Sequence, residues 1–361
     1  MSDNRFERLR AWQRVAVIGG AFLVVFAVLF ALAEAAVRIR AWLKHGEPVV
    51  RIEDLYRYDE RVGLRLPTPG FTSSRMTINS LGFRGPEIPR EKPQGTYRLA
   101  FVGGSTTFSA EVSGDDKTWP YLVVNALKST RPDRQFDYVN AGVPGYSSQT
   151  SRKRYEAEVA ALKPDLVVIY HATNDLSGHS RQIAKSQGLD SEAEERNLTW
   201  LSQWSMLIYL VEKNLRILAL QGDVNDPSDK LDADPAALAA PFERQLRELV
   251  ASVRASGAEV ALVSFSIRLR RNQTAEEKKA AANTSLYYMP YMTPDSLLDA
   301  FDAYNQVIRN VAVEEDTIFI DAAMAIPGDE RHFVDSVHFT DRGAEAMAKI
   351  VSDKLASMTA W

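Results

Sequence analysis

Short apolar runs alternate with helical segments from residue 99 onward, and this alternation constrains the fold more than any other feature. An apolar run bounded by glycine or polar residues is typical of a strand buried in a parallel sheet. The alternation of such runs with helices predicts an α/β fold with a doubly wound parallel sheet. The predicted strands cover 99–102, 138–139, 166–170, 260–264 and 317–320. The predicted helices cover 119–127, 152–162, 242–255, 297–313 and 341–358.

Four short segments carry small or polar residues suited to acyl chemistry, and the first three follow predicted strands directly. They are Gly-Gly-Ser-Thr at 103–106, Asn-Ala-Gly at 140–142, His-Ala-Thr-Asn-Asp at 171–175 and Asp-Ser-Val-His at 335–338. Open α/β folds bind their ligands at the carboxyl edge of the sheet. We therefore expect Ser105, Gly142 and Asn174 to lie just past strand ends, on one edge of one sheet.

Together these residues form a complete set for attack on an ester carbonyl. A serine hydroxyl is a poor nucleophile until a base takes its proton, and His338 is the predicted base for Ser105. Asp335, three residues before it, is placed to hold the imidazole in one tautomer. The tetrahedral intermediate needs fixed donors for its negative oxygen. We predict that these are the backbone N–H groups of Ser105 and Gly142 and the side-chain amide of Asn174.

This pattern resembles the SGNH hydrolases, also called the GDSL esterase/lipase superfamily. The letters name the serine, glycine, asparagine and histidine found here as Ser105, Gly142, Asn174 and His338. The resemblance covers roughly residues 97–358. It implies a flavodoxin-like, three-layer α/β/α fold with a five-stranded parallel sheet. It also implies that the catalytic aspartate and histidine come late in the chain, as they do here.

The first block departs from the family's best-known form, which has Gly-Asp-Ser-Leu. Gly104 stands here in place of that aspartate, and Thr106 in place of the leucine. The replaced aspartate is not the catalytic one, so the mechanism implied by the resemblance is intact. The change points to a bacterial, membrane-anchored envelope branch of the family. The segment Asn-Ser-Leu-Gly-Phe-Arg-Gly-Pro-Glu at 79–87 is similar to what precedes the first block in such members.

Each predicted site residue, taken alone, also has an ordinary structural explanation. Ser105 suits a helix N-cap, and Gly142 suits a simple turn. Asn174, followed by an aspartate, is common in turns. His338 is compatible with a surface position before the last helix. The coincidence of all four blocks in this order favours the catalytic interpretation.

Other catalytic motifs and other functional classes fit the chain poorly. The α/β-hydrolase elbow requires glycine where Thr107 stands, and no Walker or dinucleotide-binding loop occurs. Five histidines, no cysteine and no His-Glu-x-x-His spacing give no expectation of a metal or another cofactor. The net charge of −4 argues against nucleic acid as a partner.

Two other histidines lie close to the predicted blocks. His171 precedes Asn174 by three residues, and we predict for it a structural place or one at the rim of the pocket. His332 is the nearby competitor of His338 as the base. The Asp-x-x-His relation is assigned to His338 alone, and we therefore prefer His338.

The N-terminal region carries a second strong signal. Val15 to Ala33 contains no charged residue over 19 positions, close to the roughly 20 that span a bilayer core. This predicts a transmembrane helix over 15–37. A cleaved signal peptide is the alternative, because Ala31-Leu32-Ala33 resembles a cleavage site, but the run exceeds the usual length of a signal core. A weak excess of arginine before the span favours a cytosolic N-terminus and export of the rest.

The predicted organisation has four parts. Residues 1–14 are cytosolic, 15–37 form the transmembrane helix, 38–95 are a stalk and small β-containing lead-in, and 96–361 are the hydrolase domain. Two insertions interrupt that domain, at about 177–240 and 267–296. The apolar segment 201–220 of the first suits a cap or packing better than a membrane-surface helix. Residues 283–294 of the second are rich in tyrosine, and fit a pocket floor or a packed loop.

The sequence thus predicts a serine esterase in the inner, cytoplasmic membrane, single-pass and facing the periplasm or exterior. Its predicted reaction is hydrolysis of O-acyl esters, in particular O-acetyl esters. The resemblance suggests an acylated envelope or exported polysaccharide as substrate. The alternatives are an acyltransferase to sugar hydroxyls, a lipid esterase, and a catalytically silent carbohydrate-binding component of an export complex.

Overall fold

The structure, a computed structural model, describes residues 10–45, 55–189, 200–212, 215 and 230–358. The chain divides into two compact units. One holds residues 1–50 and 194–219, and the other holds 51–193 and 220–361. The second unit contains the sheet and all the predicted site residues.

The strands of the second unit are β1 Tyr56–Asp59, β2 Leu64–Pro67, β3 Thr96–Gly103, β4 Gln135–Asn140, β5 Leu166–Tyr170, β6 Glu259–Val263 and β7 Ile318–Ile320. Five of them form a parallel sheet in the order β4-β3-β5-β6-β7, which confirms the predicted fold class. Chain order reverses between β3 and β5, so the point at which open α/β folds bind ligands lies between these two strands. A two-stranded antiparallel pair, β1 and β2, precedes the sheet.

In chain order, the helices with defined limits are α1 Ala11–His45, α2 Ser105–Phe108, α3 Trp119–Thr130, α4 Ser148–Arg154, α5 Thr173–Ser186, α6 Pro235–Ala255, α7 Ala275–Tyr288, α8 Pro294–Glu314 and α9 Asp341–Ala356. Those that enclose the sheet form two groups, one containing α3 and α9 and the other containing α4, α5, α6 and α8. A π-helical turn at Tyr155–Val159 and a 3₁₀ turn at Ala160–Leu162 continue α4. The predicted helices are all present, and most begin or end a few residues away from the predicted limits.

Local sequence explains where these elements begin and what they bury. All five residues of β5 are buried, as expected for an uninterrupted apolar run in the centre of a parallel sheet. Thr118 caps α3 by accepting a hydrogen bond from the backbone N–H of Tyr121. A capping box between Thr274 and Glu277 starts α7, and the helix then runs to Tyr288. Residues 283–288, within a segment expected to be a loop, are therefore helical.

The lead-in before β3 packs onto the chain that follows β3 and β4. Its apolar residues form a small core of their own, which also includes Phe108 of α2 and two residues of the loop after β4. The members of this core are Leu55, Tyr56, Leu64, Leu66, Ile78, Phe108, Val143 and Tyr146. Residues 55–83 thus support the turn that carries Ser105.

The other unit contains α1. The most apolar window of α1 has a mean hydropathy of 2.9, and none of it is buried. Residues 11–40 are long and apolar enough to cross a membrane. Within the described part of the chain, α1 is the one helix with this property.

Candidate active site

Ser105, His338 and Asp335 form a continuous hydrogen-bonded chain. The Oγ of Ser105 lies 2.7 Å from Nε2 of His338, and Nδ1 of the same ring lies 2.8 Å from Oδ2 of Asp335. Because an ionised carboxylate only accepts hydrogen bonds, Asp335 places the ring proton on Nδ1. Nε2 is then free to accept the hydroxyl proton of Ser105, which is the protonation state that a general base requires.

The elements that carry these residues explain their placement. Ser105 is the first residue of α2, and Gly104 alone separates it from the carboxyl end of β3. His338 and Asp335 lie in a tight loop before α9, where Val334 donates a backbone hydrogen bond to the carbonyl of His338 over 2.8 Å. The other oxygen of Asp335, Oδ1, accepts the backbone N–H groups of His338 at 2.8 Å and Val337 at 2.9 Å. The carboxylate is thereby held by both its oxygens.

The electrostatics of this pair favour a charged aspartate and a basic histidine. Burial by itself raises the pKa of Asp335, but the hydrogen bond and charge of His338, together with the backbone N–H groups of Val337 and His338, outweigh it, and the net pKa is lowered. For His338, burial favours the neutral ring, but the hydrogen bond and charge of Asp335, with a smaller contribution from the charge of Glu111, outweigh it, so its pKa is raised above 6.5. The ring is therefore a stronger base than an isolated histidine.

Asn174 lies at the start of α5, close to the residue before Ser105. Its Nδ2 donates to the carbonyl of Tyr146 over 2.9 Å, and this fixes the amide. A Cβ on Gly104 would lie 2.7 Å from the same Nδ2. The glycine that replaces the family's aspartate therefore gives the Asn174 amide room beside Ser105.

Gly142 packs against the same turn from the other side. A Cβ at Gly142 would lie 2.4 Å from the backbone nitrogen of Phe108 in α2, so only glycine fits. Its N–H donates to Oδ1 of Asn140 over 3.1 Å, and Nδ2 of Asn140 donates to the carbonyl of Thr107. The structure therefore brings Ser105, Gly142 and Asn174 to one sheet edge, with the Gly142 amide already hydrogen-bonded.

Two buried arginines that the sequence did not single out brace this edge. Arg84, in the lead-in, donates from Nη1 to the carbonyls of Phe108 at 3.0 Å and Ser109 at 2.6 Å, which end α2. Its Nε meets the carboxylate of Asp115 at 2.8 Å. The sequence signal for Arg84 is the segment 79–87 that contains it, whose similarity to other family members indicates no role for this side chain.

Arg154, at the end of α4, links the lead-in to the loop after β4. It donates from Nη2 to the carbonyl of Gly82 over 2.8 Å and from Nη1 to that of Ala141 over 3.2 Å. Its guanidinium also lies over the ring of Phe83, 4.7 Å from the centroid. Ala141 immediately precedes Gly142, so this arginine helps to fix the position of the third predicted donor.

A second group of polar residues lies behind Asn174 and is wholly buried. Asp175 accepts hydrogen bonds from the hydroxyl of Ser148 at 2.6 Å and from its N–H at 2.9 Å. His171 places Nε2 2.9 Å from the Oγ of Ser151. Burial lowers the pKa of His171 to about 3, and it raises the pKa of Asp175 to about 6 against the opposing hydrogen bonds of Ser148. These groups join α4 to the start of α5, as expected of a structural histidine.

One sequence assignment is wrong. The Asp-x-x-His relation does not belong to His338 alone, because Asp329 precedes His332 by three residues. The structure forms this second pair too, with Nδ1 of His332 2.7 Å from Oδ1 of Asp329. The hydrogen bond with His332 lowers the pKa of Asp329. In the ranges that the structure describes, no group of three acidic or histidine side chains is arranged to hold a metal ion.

The parallel sheet and the Ser–His–Asp chain together define a serine hydrolase. The sequence model of the GDSL-like lipase/acylhydrolase family matches residues 101–346. The chain therefore belongs to this family, also called the SGNH hydrolases, and it is an ester-hydrolysing enzyme. The predicted resemblance is confirmed.

Solved structures of similar fold include two enzymes. One is Axe2, an acetylxylan esterase from Geobacillus stearothermophilus, with 16% identity, a TM-score of 0.43 and coverage of 73% of this chain and 94% of that one. The other is LAE5, an alpha/beta hydrolase enzyme from the metagenome of Lake Arreo, Spain, with 17% identity, a TM-score of 0.44 and coverage of 72% and 94%. No curated protein matches the chain.

Proposed function

We propose that Ser105 is the nucleophile of this esterase, His338 its general base and Asp335 the group that orients the base. The observation that carries the proposal is the unbroken chain of contacts at 2.7 Å and 2.8 Å from Oγ to the carboxylate. The Oγ attacks the ester carbonyl carbon while its proton passes to Nε2 of His338. The imidazolium formed is stabilised by the charge of Asp335.

The negative oxygen of the tetrahedral intermediate needs donors on the opposite side of Ser105. The backbone N–H of Ser105 is at the first turn of α2, where amides have no partner within the helix. The amide of Asn174 has a second N–H besides the one that donates to Tyr146. Gly142 is the third donor in this proposal, and its N–H exchanges Asn140 for the oxyanion when substrate binds.

The second half of the reaction uses the same groups. His338 gives its proton to the leaving alkoxide, the C–O bond breaks, and an acyl-Ser105 ester remains. A water then loses its proton to Nε2 and attacks the acyl carbon. Collapse of this second intermediate releases the carboxylic acid and returns the proton to Oγ.

The finer proposal concerns location and substrate. We place α1 across the inner membrane, with residues 1–14 in the cytosol and the hydrolase domain outside, because α1 is long and apolar enough to span. A tethered esterase acts on polymers that pass or lie close to the membrane, so we propose O-acetyl groups of an envelope or exported polysaccharide as substrate. An acyltransferase would use the same acyl-enzyme with a sugar hydroxyl in place of water.

Labelling by a fluorophosphonate probe tests the serine and its activation together. The full chain should be labelled, and Ser105→Ala should be neither labelled nor active against acetyl esters. Ser129→Ala is the matched control, because Ser129 is exposed on α3 and its hydroxyl donates only to its own helix. Failure of the wild-type chain to label would support the catalytically silent alternative.

Product analysis separates hydrolysis from transfer and tests the substrate class. With an acetylated polysaccharide, hydrolysis releases free acetate in proportion to the ester consumed. If added unacetylated sugar captures the acetyl group instead, the acyltransferase alternative is correct. Faster turnover of long-chain lipid esters than of acetyl esters would favour the lipid esterase.

A further inference from the structure

A carboxylate on α1 holds a separate part of the chain. The Oε2 of Glu34 accepts hydrogen bonds from the hydroxyl of Ser205 and the N–H of Leu207, both at 2.9 Å. Its Oε1 accepts the N–H of Met206 at 3.0 Å and Nε of Arg38 at 2.6 Å. Four donors thus meet one carboxylate, and three of them come from the insertion after α5.

The residues held in this way begin a helix over 206–212 with the sequence Met-Leu-Ile-Tyr-Leu-Val-Glu. Ser205 caps it, because its Oγ accepts the N–H of Ile208 at 3.1 Å. The guanidinium of Arg38 also donates to the carbonyl of Trp204. Glu34 and Arg38 therefore hold the start of this helix beside one turn of α1, and we call these contacts the clamp.

The clamp lies at the end of the apolar run of α1. Nineteen uncharged residues, 15–33, precede Glu34, and at 1.5 Å per residue they span about 28 Å, close to the thickness of a hydrocarbon core. Glu34 thus lies where hydrocarbon gives way to headgroups. A carboxylate is costly at such a boundary unless its oxygens are satisfied, and here the clamp satisfies them.

The clamped segment exposes large apolar side chains. Trp204 is 69% exposed, and Leu201, Val211 and Leu215 are exposed as well. On α1, the turn after Arg38 exposes Trp42. Tryptophan is enriched at membrane interfaces, where its ring meets both the acyl chains and water.

We propose that residues 200–212 form a second membrane contact, held by Glu34 at the outer end of the apolar run of α1 and inserted into the headgroup region of the bilayer. This inference rests on the proposed spanning role of α1. The sequence favours a cap or packing role for 201–220, whereas the contacts with α1 favour the membrane surface for the described part of that segment. A bilayer would cover the exposed apolar side chains of this segment. It also accounts for the position of the segment along α1, because the contacts with Glu34 and Arg38 hold it at the boundary between hydrocarbon and headgroups.

The absence of cysteine from the whole sequence makes a direct test possible. Trp204→Cys in the full chain is labelled with an environment-sensitive fluorophore and reconstituted into vesicles of phosphatidylcholine and phosphatidylglycerol. Lipids with a quencher near the headgroup should quench this label and shift its emission to the blue. The same label at Ser129→Cys, an exposed position on α3, should stay unquenched.

Flotation of the vesicles separates the two proposals. Protein that floats with the vesicles and carries a quenched label at 204 supports the membrane contact. Protein that floats with an unquenched label overturns it and leaves the anchor intact. A blue shift without lipid quenching that grows with protein density would show that a second copy covers the segment, and would also overturn it. Protein that does not float refutes the anchor, and the inference with it.

Glu34→Gln tests the clamp. The amide keeps the shape of the side chain, but it loses the ion pair with Arg38 and one of its two accepting oxygens. We expect most of the quenching at position 204 to be lost while flotation is unchanged. Glu60→Gln, at an exposed position in the lead-in, should leave the quenching as it is. Equal quenching in the two variants would refute the role of Glu34.

Discussion

Two Asp-x-x-His pairs lie six residues apart before α9, and locally they are almost the same. In each, a carboxylate oxygen lies within 2.8 Å of Nδ1, and the aspartate also accepts the backbone N–H of its own histidine. They differ in what the other ring nitrogen meets. Nε2 of His338 contacts Ser105, whereas the hydrogen bond described for the His332 ring is the one to Asp329. The motif orients a histidine, and tertiary position makes it a base.

The pair 329–332 has a structural place of its own. The carbonyl of His332 accepts the N–H of Thr340 at 3.0 Å, which closes the loop that carries Asp335 and His338. A Cβ on Gly343 would lie 2.0 Å from this carbonyl, so α9 approaches it as closely as glycine permits. The side chain of Asp329 is 49% exposed, against 23% for Asp335. The outer pair thus supports the loop, and the inner pair faces the nucleophile.

Removal of each imidazole in turn should give the largest difference in kcat between the two pairs. His338→Ala removes the base, and kcat should fall by on the order of 10⁶, the scale seen when a triad histidine is lost. His332→Ala should leave kcat within about tenfold and lower the free energy of unfolding by about 1 kcal/mol, the typical value of one hydrogen bond. Steady-state hydrolysis of an acetyl ester and denaturant unfolding measure both. An active His338→Ala variant would refute the assignment.

Removal of each carboxylate charge gives the next effect. Asp335→Asn allows the ring to take the wrong tautomer, and kcat should fall by about 10⁴. Asp329→Asn is the matched control, since it makes the same chemical change in the pair that does not contact Ser105. Equal losses in both variants would mean that the two pairs act as one unit, contrary to their different surroundings.

Asn174 tests what lies on the other side of Ser105. Asn174→Ala should lower kcat by roughly 10²–10³ with a much smaller change in KM, because an oxyanion donor acts on the transition state. Gly178→Ala, on the same helix with open space around it, should leave both constants close to wild type. If only KM rose in the Asn174 variant, the amide would position substrate instead.

What the sequence predicts, and what it does not, follows the range of the interactions. β5 and the position of the residues after it at the sheet edge can be predicted, because the apolar run and the order of residues along the chain are local properties of the sequence. Arg84 and Arg154 are not, because an arginine in a sequence normally indicates a solvated surface, and their acceptors lie up to 72 residues away. The two Asp-x-x-His pairs show the same limit, since only the position of Ser105 in space distinguishes His338 from His332.

The smallest expected effect is a shift in titration, and it gives the sharpest comparison of the two pairs. His338 accepts the serine proton only when neutral, so kcat/KM should fall tenfold per pH unit below its pKa. Because Asp335 raises that pKa above 6.5, the acid limb of wild type should have its midpoint above 6.5. In Asp335→Asn the charge of Asp335 is gone while burial remains, so the pKa of His338 should fall below its wild-type value. In Asp329→Asn the pKa of His338 should not change.

Nitrogen NMR of the five labelled histidines in the full chain measures each pKa directly, without relying on residual activity. A His338 pKa that followed Asp329 rather than Asp335 would reverse the roles assigned to the two pairs.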